Sequence, residues 1–168
     1  MKIIKEIIPY VIIIVIVMLI RSFIMTPVIV DGKSMEPNLE NGEVLLLSKI
    51  TYKVSDIKRF DVVVINEENE FIIKRVIGLP GDYVEYKDNK LYVNGNYIEE
   101  EYLRKTTHDF NLEDICDCDV IPEGKYLVLG DNRTISKDSR MLGLIDKSDI
   151  KGKAIVRIWP LNKINIIK

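Results

Sequence analysis

A chain of 168 residues in which 24 Lys and Arg stand against 26 Asp and Glu has a formal charge of −2, which excludes the basic face that nucleic-acid binding needs. Hydrophobic residues make up 47% of the chain, with only 9 Gly and 6 Pro, so collagen-like and disordered classes are excluded and a packed core is expected. One His and two Cys are too few for a zinc-finger array or a disulfide-dense mini-protein, and leave His108 as the single candidate for a Ser-His-Asp triad.

The N-terminal element is apolar. Residues 7–20 read IIPYVIIIVIVMLI without a charge, and the 19 positions of residues 7–25 contain only Arg21. At about 1.5 Å per residue this approaches a bilayer core of about 30 Å. The run is too long for an ordinary strand, and a helix on a soluble surface would show a polar side. The expectation is therefore a short stub and transmembrane anchor over residues 1–25, with Arg21 reaching towards lipid headgroups. No small-residue processing site follows in Phe23-Ile24-Met25-Thr26-Pro27, so an anchor that is retained fits better than a removed leader. Lys2 and Lys5 precede the run and Arg21 and Lys33 follow its core, so charge alone orients it weakly.

Beyond residue 25 the pattern is mainly β. Short apolar runs at 28–30, 44–47, 62–65, 71–77, 83–86, 91–93, 126–129 and 154–158 alternate with turn signals. Asp88-Asn89 and Asn94-Gly95 are two-residue hairpin turns, because both pairs tolerate positive φ. Residues 78–82 form a turn, and residues 146–150 one short helical turn. These elements predict an antiparallel β domain over residues 26–168, with a small inserted hairpin-and-loop region at about 83–122. Within it, residues 105–120 are polar and acidic and contain His108, Cys116 and Cys118. The Cys-Asp-Cys spacing does not suit zinc, and a bond between the two thiols would close a very small ring, so two incidental thiols on a surface loop are expected.

Three stretches carry chemistry. In Gly32-Lys33-Ser34-Met35-Glu36-Pro37 a turn can expose the Ser34 hydroxyl. In residues 71–77 the period of two places Lys74 on one face with Ile72 and Val76, and Arg75 on the other with Phe71, Ile73 and Ile77. A serine needs a base to become a nucleophile. An ordinary lysine, with a pKa of about 10.4, is protonated at neutral pH, but burial disfavours its charged form. An apolar strand face is where such a lysine should sit. His108, in a polar loop, has no motif that marks it as a triad member. The third stretch closes a strand with Gly130-Asp131-Asn132-Arg133 and runs on through Ser136, Asp138 and Arg140, the last two spaced to pair.

These segments together, Gly-x-Ser-Met-x-Pro, Gly-Glu-Val-Leu-Leu-Leu, Ile-Lys-Arg-Val-Ile-Gly-Leu-Pro-Gly-Asp and Leu-Gly-Asp-Asn-Arg-x₂-Ser-x-Asp-Ser-Arg, resemble the type I signal peptidases over nearly the whole chain. The resemblance implies a mainly β fold of the signal-peptidase and SOS-repressor protease type. It also implies a plasma-membrane endopeptidase, N-terminus inside and catalytic domain outside, that removes signal peptides after small residues (Ala-x-Ala). Ser34 is then the nucleophile, Lys74 the general base and Ser136 the hydroxyl that orients the amine. Asp131, Asn132, Asp138, Arg140 and Arg75 support the site. Gly32 stands where some members carry a serine that donates to the oxyanion. Val30, Met35, Leu39, Ile72 and Ile73 match positions lining the substrate pockets. The implied partners are signal peptides and the lipid bilayer, with no nucleic acid, metal or cofactor. Two other classes share features with the chain. A self-cleaving repressor-type Ser-Lys protease would carry a DNA-binding module where the apolar run stands. An inactive membrane-tethered binding domain would lack Ser34 or Lys74.

Overall fold

A computed structural model of the chain describes the backbone of residues 2–68, 70–103 and 106–167, and in the first helix the side chains of residues 6–18. Helix α1 (Lys2–Phe23) leads into β1 (Met25–Ile29). The body continues through β2 (Val44–Ser48), the single turn α2 (Thr51–Val54), β3 (Val62–Glu67) and β4 (Glu70–Gly78). Short strands follow, β5 (Val84–Lys87), β6 (Lys90–Val93), β7 (Asn96–Ile98) and β8 (Phe110–Asn111). The chain then returns through β9 (Lys125–Leu129), α3 (Ser139–Leu142), β10 (Ile145–Asp146), β11 (Ile150–Trp159) and β12 (Asn165–Ile166).

The expected membrane-spanning helix is corrected by this structure. The apolar run was counted to Met25, but the chain leaves the helix at Phe23, and Met25 opens β1, paired with Ser48. The helix contains Pro9, and its described side chains, residues 6–18, begin with the charged Glu6. Among the described residues no helix is long and apolar enough to cross a membrane. The role expected of the Arg21 side chain lies outside the described residues.

Two antiparallel sheets make the body. The larger runs in the order β1-β2-β11-β3-β4-β9-β10, with β12 added on β11, and the smaller in the order β7-β6-β5-β8. The turn residues act as their chemistry predicts: Asp88 and Asn89 both have positive φ at the β5–β6 turn, as do Asn94 and Gly95 at the β6–β7 turn. The large sheet is buried on both faces. One face holds a cluster that includes Val30, Met35, Leu39, Val62, Val64 and Ile73. Val63, Ile65, Val76 and Val128 pack on the other. A third cluster joins Ile77, Leu127 and Leu129 of the large sheet to Val84, Tyr86, Leu91 and Val93 of the small one.

The acidic loop also departs from expectation. Cys116 and Cys118 are joined by a disulfide. The Cys118 N–H donates to the Cys116 carbonyl at 2.8 Å, and this turn sets the two Cα atoms 5.3 Å apart, within the span a disulfide bridges. His108 is exposed in the same region.

Candidate active site

Ser34 is held in a tight turn between β1 and β2. Gly32 has φ +85°, a conformation that favours glycine, and its N–H donates to Asn41 Oδ1 at 2.8 Å. The turn continues with the Glu36 N–H on the Lys33 carbonyl (3.2 Å) and the Leu39 N–H on the Met35 carbonyl (2.9 Å). Its hydroxyl oxygen lies 2.9 Å from Lys74 Nζ, across 40 positions of chain.

Lys74 comes from the middle of β4, paired with Val63 of β3. Its neighbours two positions away, Ile72 and Val76, belong to the same apolar cluster as Val63, so the expected alternation is realised. The residue is 3% exposed. Burial lowers its pKa from 10.5 to about 8, opposed by the charges of Asp138 and Asp131. Among the described residues no carboxylate forms an ion pair with it. The result is an amine that changes charge near neutral pH while touching a serine hydroxyl.

The loop after β9 clamps the backbone of Ser34. The Asn132 N–H donates to the Ser34 carbonyl at 2.9 Å, and Asn132 Nδ2 to the Lys33 carbonyl at 3.1 Å. Gly130 must be glycine: an added Cβ would lie 2.5 Å from the Ser34 carbonyl and 2.2 Å from Ser136 Oγ. Asp138 accepts from the Gly130 N–H at 3.0 Å and pairs with Arg140 through bonds of 2.8 and 2.9 Å. Ser136 differs from expectation. Its Oγ is buried without a hydrogen-bond partner among the described residues, so the hydrogen bond expected between it and the Lys74 amine is not in place.

On the other face of β4, Arg75 makes a two-pronged pair with Asp131, Nε to Oδ1 at 2.9 Å and Nη2 to Oδ2 at 2.8 Å, and donates to the Phe60 carbonyl. Asn38 Nδ2 adds a third donor to Asp131 at 2.8 Å.

A cleft of about 520 Å³ opens over Ser34 and Lys74. Ile72, Ile135 and Leu142 supply its apolar walls, and Glu67, Glu68 and Glu70 of the β3–β4 hairpin line one side. Of the residues expected to bind substrate, Ile72 lines this cleft. Val30, Met35, Leu39 and Ile73 pack together in the core, each at most 7% exposed. Sequence reasoning did not single out Ile135, Leu142, Asn38 or the partners of Arg133. Leu142 follows the Asp138 cap of α3, a cap that the Asp-Ser sequence does advertise.

The family model described as signal peptidase, peptidase S26, matches residues 3–159. The chain belongs to this family. It is similar to signal peptidase IB of Staphylococcus aureus (strain Mu50), 44% identical over 163 residues that cover 89% of this chain and 85% of that protein. It is 40% identical to signal peptidase I of Bacillus caldolyticus over 165 residues, 92% of this chain and 91% of the other. The crystal structure of a signal peptidase I from Enterococcus faecalis V583 is 37% identical and superposes with a TM-score of 0.56 over 60% of this chain and 97% of that one. The chain is thus a serine peptidase of the signal peptidase I type.

Proposed function

We propose that this peptidase cleaves signal peptides from preproteins through an acyl-enzyme, with Ser34 as nucleophile and Lys74 as general base. The observation that carries the reading is the 2.9 Å approach of a dry amine to the Ser34 hydroxyl. Neutral Lys74 takes the Ser34 proton as Oγ attacks the scissile carbonyl, and the tetrahedral oxyanion forms. Lys74, now an ammonium, returns a proton to the leaving amine as the C–N bond breaks. Water, deprotonated by the same amine, then attacks the ester; the bond from the acyl carbon to Ser34 Oγ breaks, the ammonium returns the proton to Oγ, and the cleaved peptide leaves as its carboxylate.

The Ser34 N–H is the oxyanion donor in this reading, a contribution of about 3–4 kcal/mol for a group of this kind. Gly32 has no hydroxyl to offer, and its N–H is engaged by Asn41. Asn132 holds the Ser34 backbone, with Gly130 leaving room for its carbonyl, so the donor is aimed before the charge develops. Small side chains such as Ala at the cleavage signal suit a cleft that Ile72, Ile135 and Leu142 line together with the dyad.

Residues 26–168 form the catalytic unit. Association with a lipid surface is supported by the exposed apolar side chains of α1, including Ile7, Ile12, Ile16 and Met18. Confinement of enzyme and apolar substrate to one surface raises their effective concentration. The test is precursor processing in detergent by the full chain and by Ser34→Ala and Lys74→Ala. The expected result is loss of about 10³-fold or more in each variant. Equal processing by all three proteins would eliminate the dyad.

A further inference from the structure

A buried polar cluster outside the dyad surrounds Arg133, which is 2% exposed. Its Nε donates to the Gly130 carbonyl at 2.9 Å. Gly130 is the residue whose N–H is fixed by Asp138 and whose missing Cβ lets the Ser34 carbonyl approach. The other four guanidinium donors all find acceptors in the region between β5 and β8. Nη2 reaches Glu100 Oε1 at 2.6 Å and the Tyr102 hydroxyl at 3.2 Å, and Nη1 reaches the Tyr86 hydroxyl at 2.8 Å and Thr107 Oγ1 at 2.9 Å. The five donors of the fork are thereby satisfied. The Tyr86 and Tyr102 hydroxyls both donate to Glu100 Oε1.

The same region reaches Arg75. The Tyr102 ring lies 4.0 Å from the Arg75 guanidinium. Its carbonyl accepts from Asn38 Nδ2, which also holds Asp131. Both buried arginines behind the nucleophile turn therefore rest on residues 100–102, while neither Glu100 nor Tyr102 lines the catalytic cleft.

We propose that Glu100 and Tyr102 are positioning residues for the Ser34–Lys74 pair, fixing Arg133 against the Gly130 carbonyl and so holding the 130–132 turn that grips the Ser34 backbone. The small sheet is then part of the catalytic apparatus rather than an appendage. This inference rests on the dyad reading of the site. Because Glu100 acts through Arg133 and touches no substrate, its removal lowers turnover and leaves substrate affinity alone. A bond to a charged group in a dry interior is the strong kind, and leaving the guanidinium unpaired lets it drift from the carbonyl.

The experiment measures peptide cleavage by the full chain in detergent, with active sites counted by a serine-acylating probe, for wild type, Ser34→Ala, Glu100→Ala, Glu100→Gln and Tyr102→Phe. The expected result is a fall in kcat per titrated site of about tenfold to a hundredfold for Glu100→Ala, with KM within about twofold. Glu100→Gln, which keeps an acceptor, should fall between it and wild type. A variant with fewer titratable sites but wild-type kcat at each would show a folding role only and overturn the proposal. Should Glu100→Ala not fold, Glu100→Gln and Tyr102→Phe decide, and wild-type kcat in both overturns it. Full activity in Ser34→Ala would instead sink the dyad reading, whatever Glu100 does.

Discussion

Lys74 and Arg75 are neighbours on one strand, equally buried at 3% and 2% exposure, and their environments are opposite. Arg75 meets a carboxylate in a two-pronged pair with further acceptors around it, so its charge is kept. Lys74 meets a neutral hydroxyl among aliphatic side chains, so its charge is disfavoured. Burial by itself therefore makes neither a base nor a brace. The group on the far side of the nitrogen decides, and the alternation of the strand lets one element carry an amine of lowered pKa on one face and a paired guanidinium on the other. The turn at Gly130–Asn132 joins the two faces, since Asp131 binds Arg75 while Asn132 holds Ser34.

The largest way to break this contrast is to take the partner from Arg75. Asp131→Ala leaves the buried Arg75 guanidinium without its carboxylate, which should destabilise the fold by about 3–5 kcal/mol. Urea unfolding midpoints check it. The paired replacement Arg75→Met with Asp131→Leu should restore most of that stability, and a double variant as unstable as Asp131→Ala would show that the pair is not what matters.

The opposite outcome is expected across the strand. Lys74→Met should abolish cleavage yet stabilise the protein at pH 7 by about 1–3 kcal/mol, since it removes the cost of burying the amine at the loss of one hydrogen bond. The sign follows from the lowered pKa. Below about pH 8 the amine is protonated in both folded and unfolded states and the full penalty applies. Between about 8 and 10.5 the unfolded chain holds more protons, so wild-type stability rises with pH. Lys74→Met should lack this rise, and a parallel pH profile for the two proteins would refute the assignment.

The smallest effect is expected far from both groups. Cys116→Ser with Cys118→Ser opens a loop of a few residues, worth at most about 1–2 kcal/mol. Cleavage should stay within about twofold of wild type, and loss of folding would show that the disulfide organises more than its own turn.

Much of this arrangement could be read from residue order. The two hairpins follow from Asp88-Asn89 and Asn94-Gly95, whose side chains tolerate positive φ. The Lys74 face follows from strict alternation in β4. The end of α1 could not be read, because Ile24 and Met25 are as apolar as the helix before them, and hydropathy does not tell a helix from a buried strand. The pairing of Cys116 with Cys118 depends on a local turn that spacing alone did not suggest. Arg133 stood in plain view within its motif, but Glu100, Tyr102, Tyr86 and Thr107 lie 26 to 47 positions away. Ion pairs that bridge distant segments leave no periodic trace. Val30, Met35, Leu39 and Ile73 were legible as apolar, while their packing into one cluster with Val62 and Val64 of another strand was not.

The most direct measurement is a titration of the Lys74 amine in the folded, substrate-free enzyme, by NMR of lysine labelled at the side chain with Lys74→Met as the assignment control. A midpoint near pH 8, matched by the alkaline rise of cleavage rate, is the result expected from burial beside the Ser34 hydroxyl. A midpoint near 10.5 would contradict it, as would a cleavage profile governed by a group near 6.5.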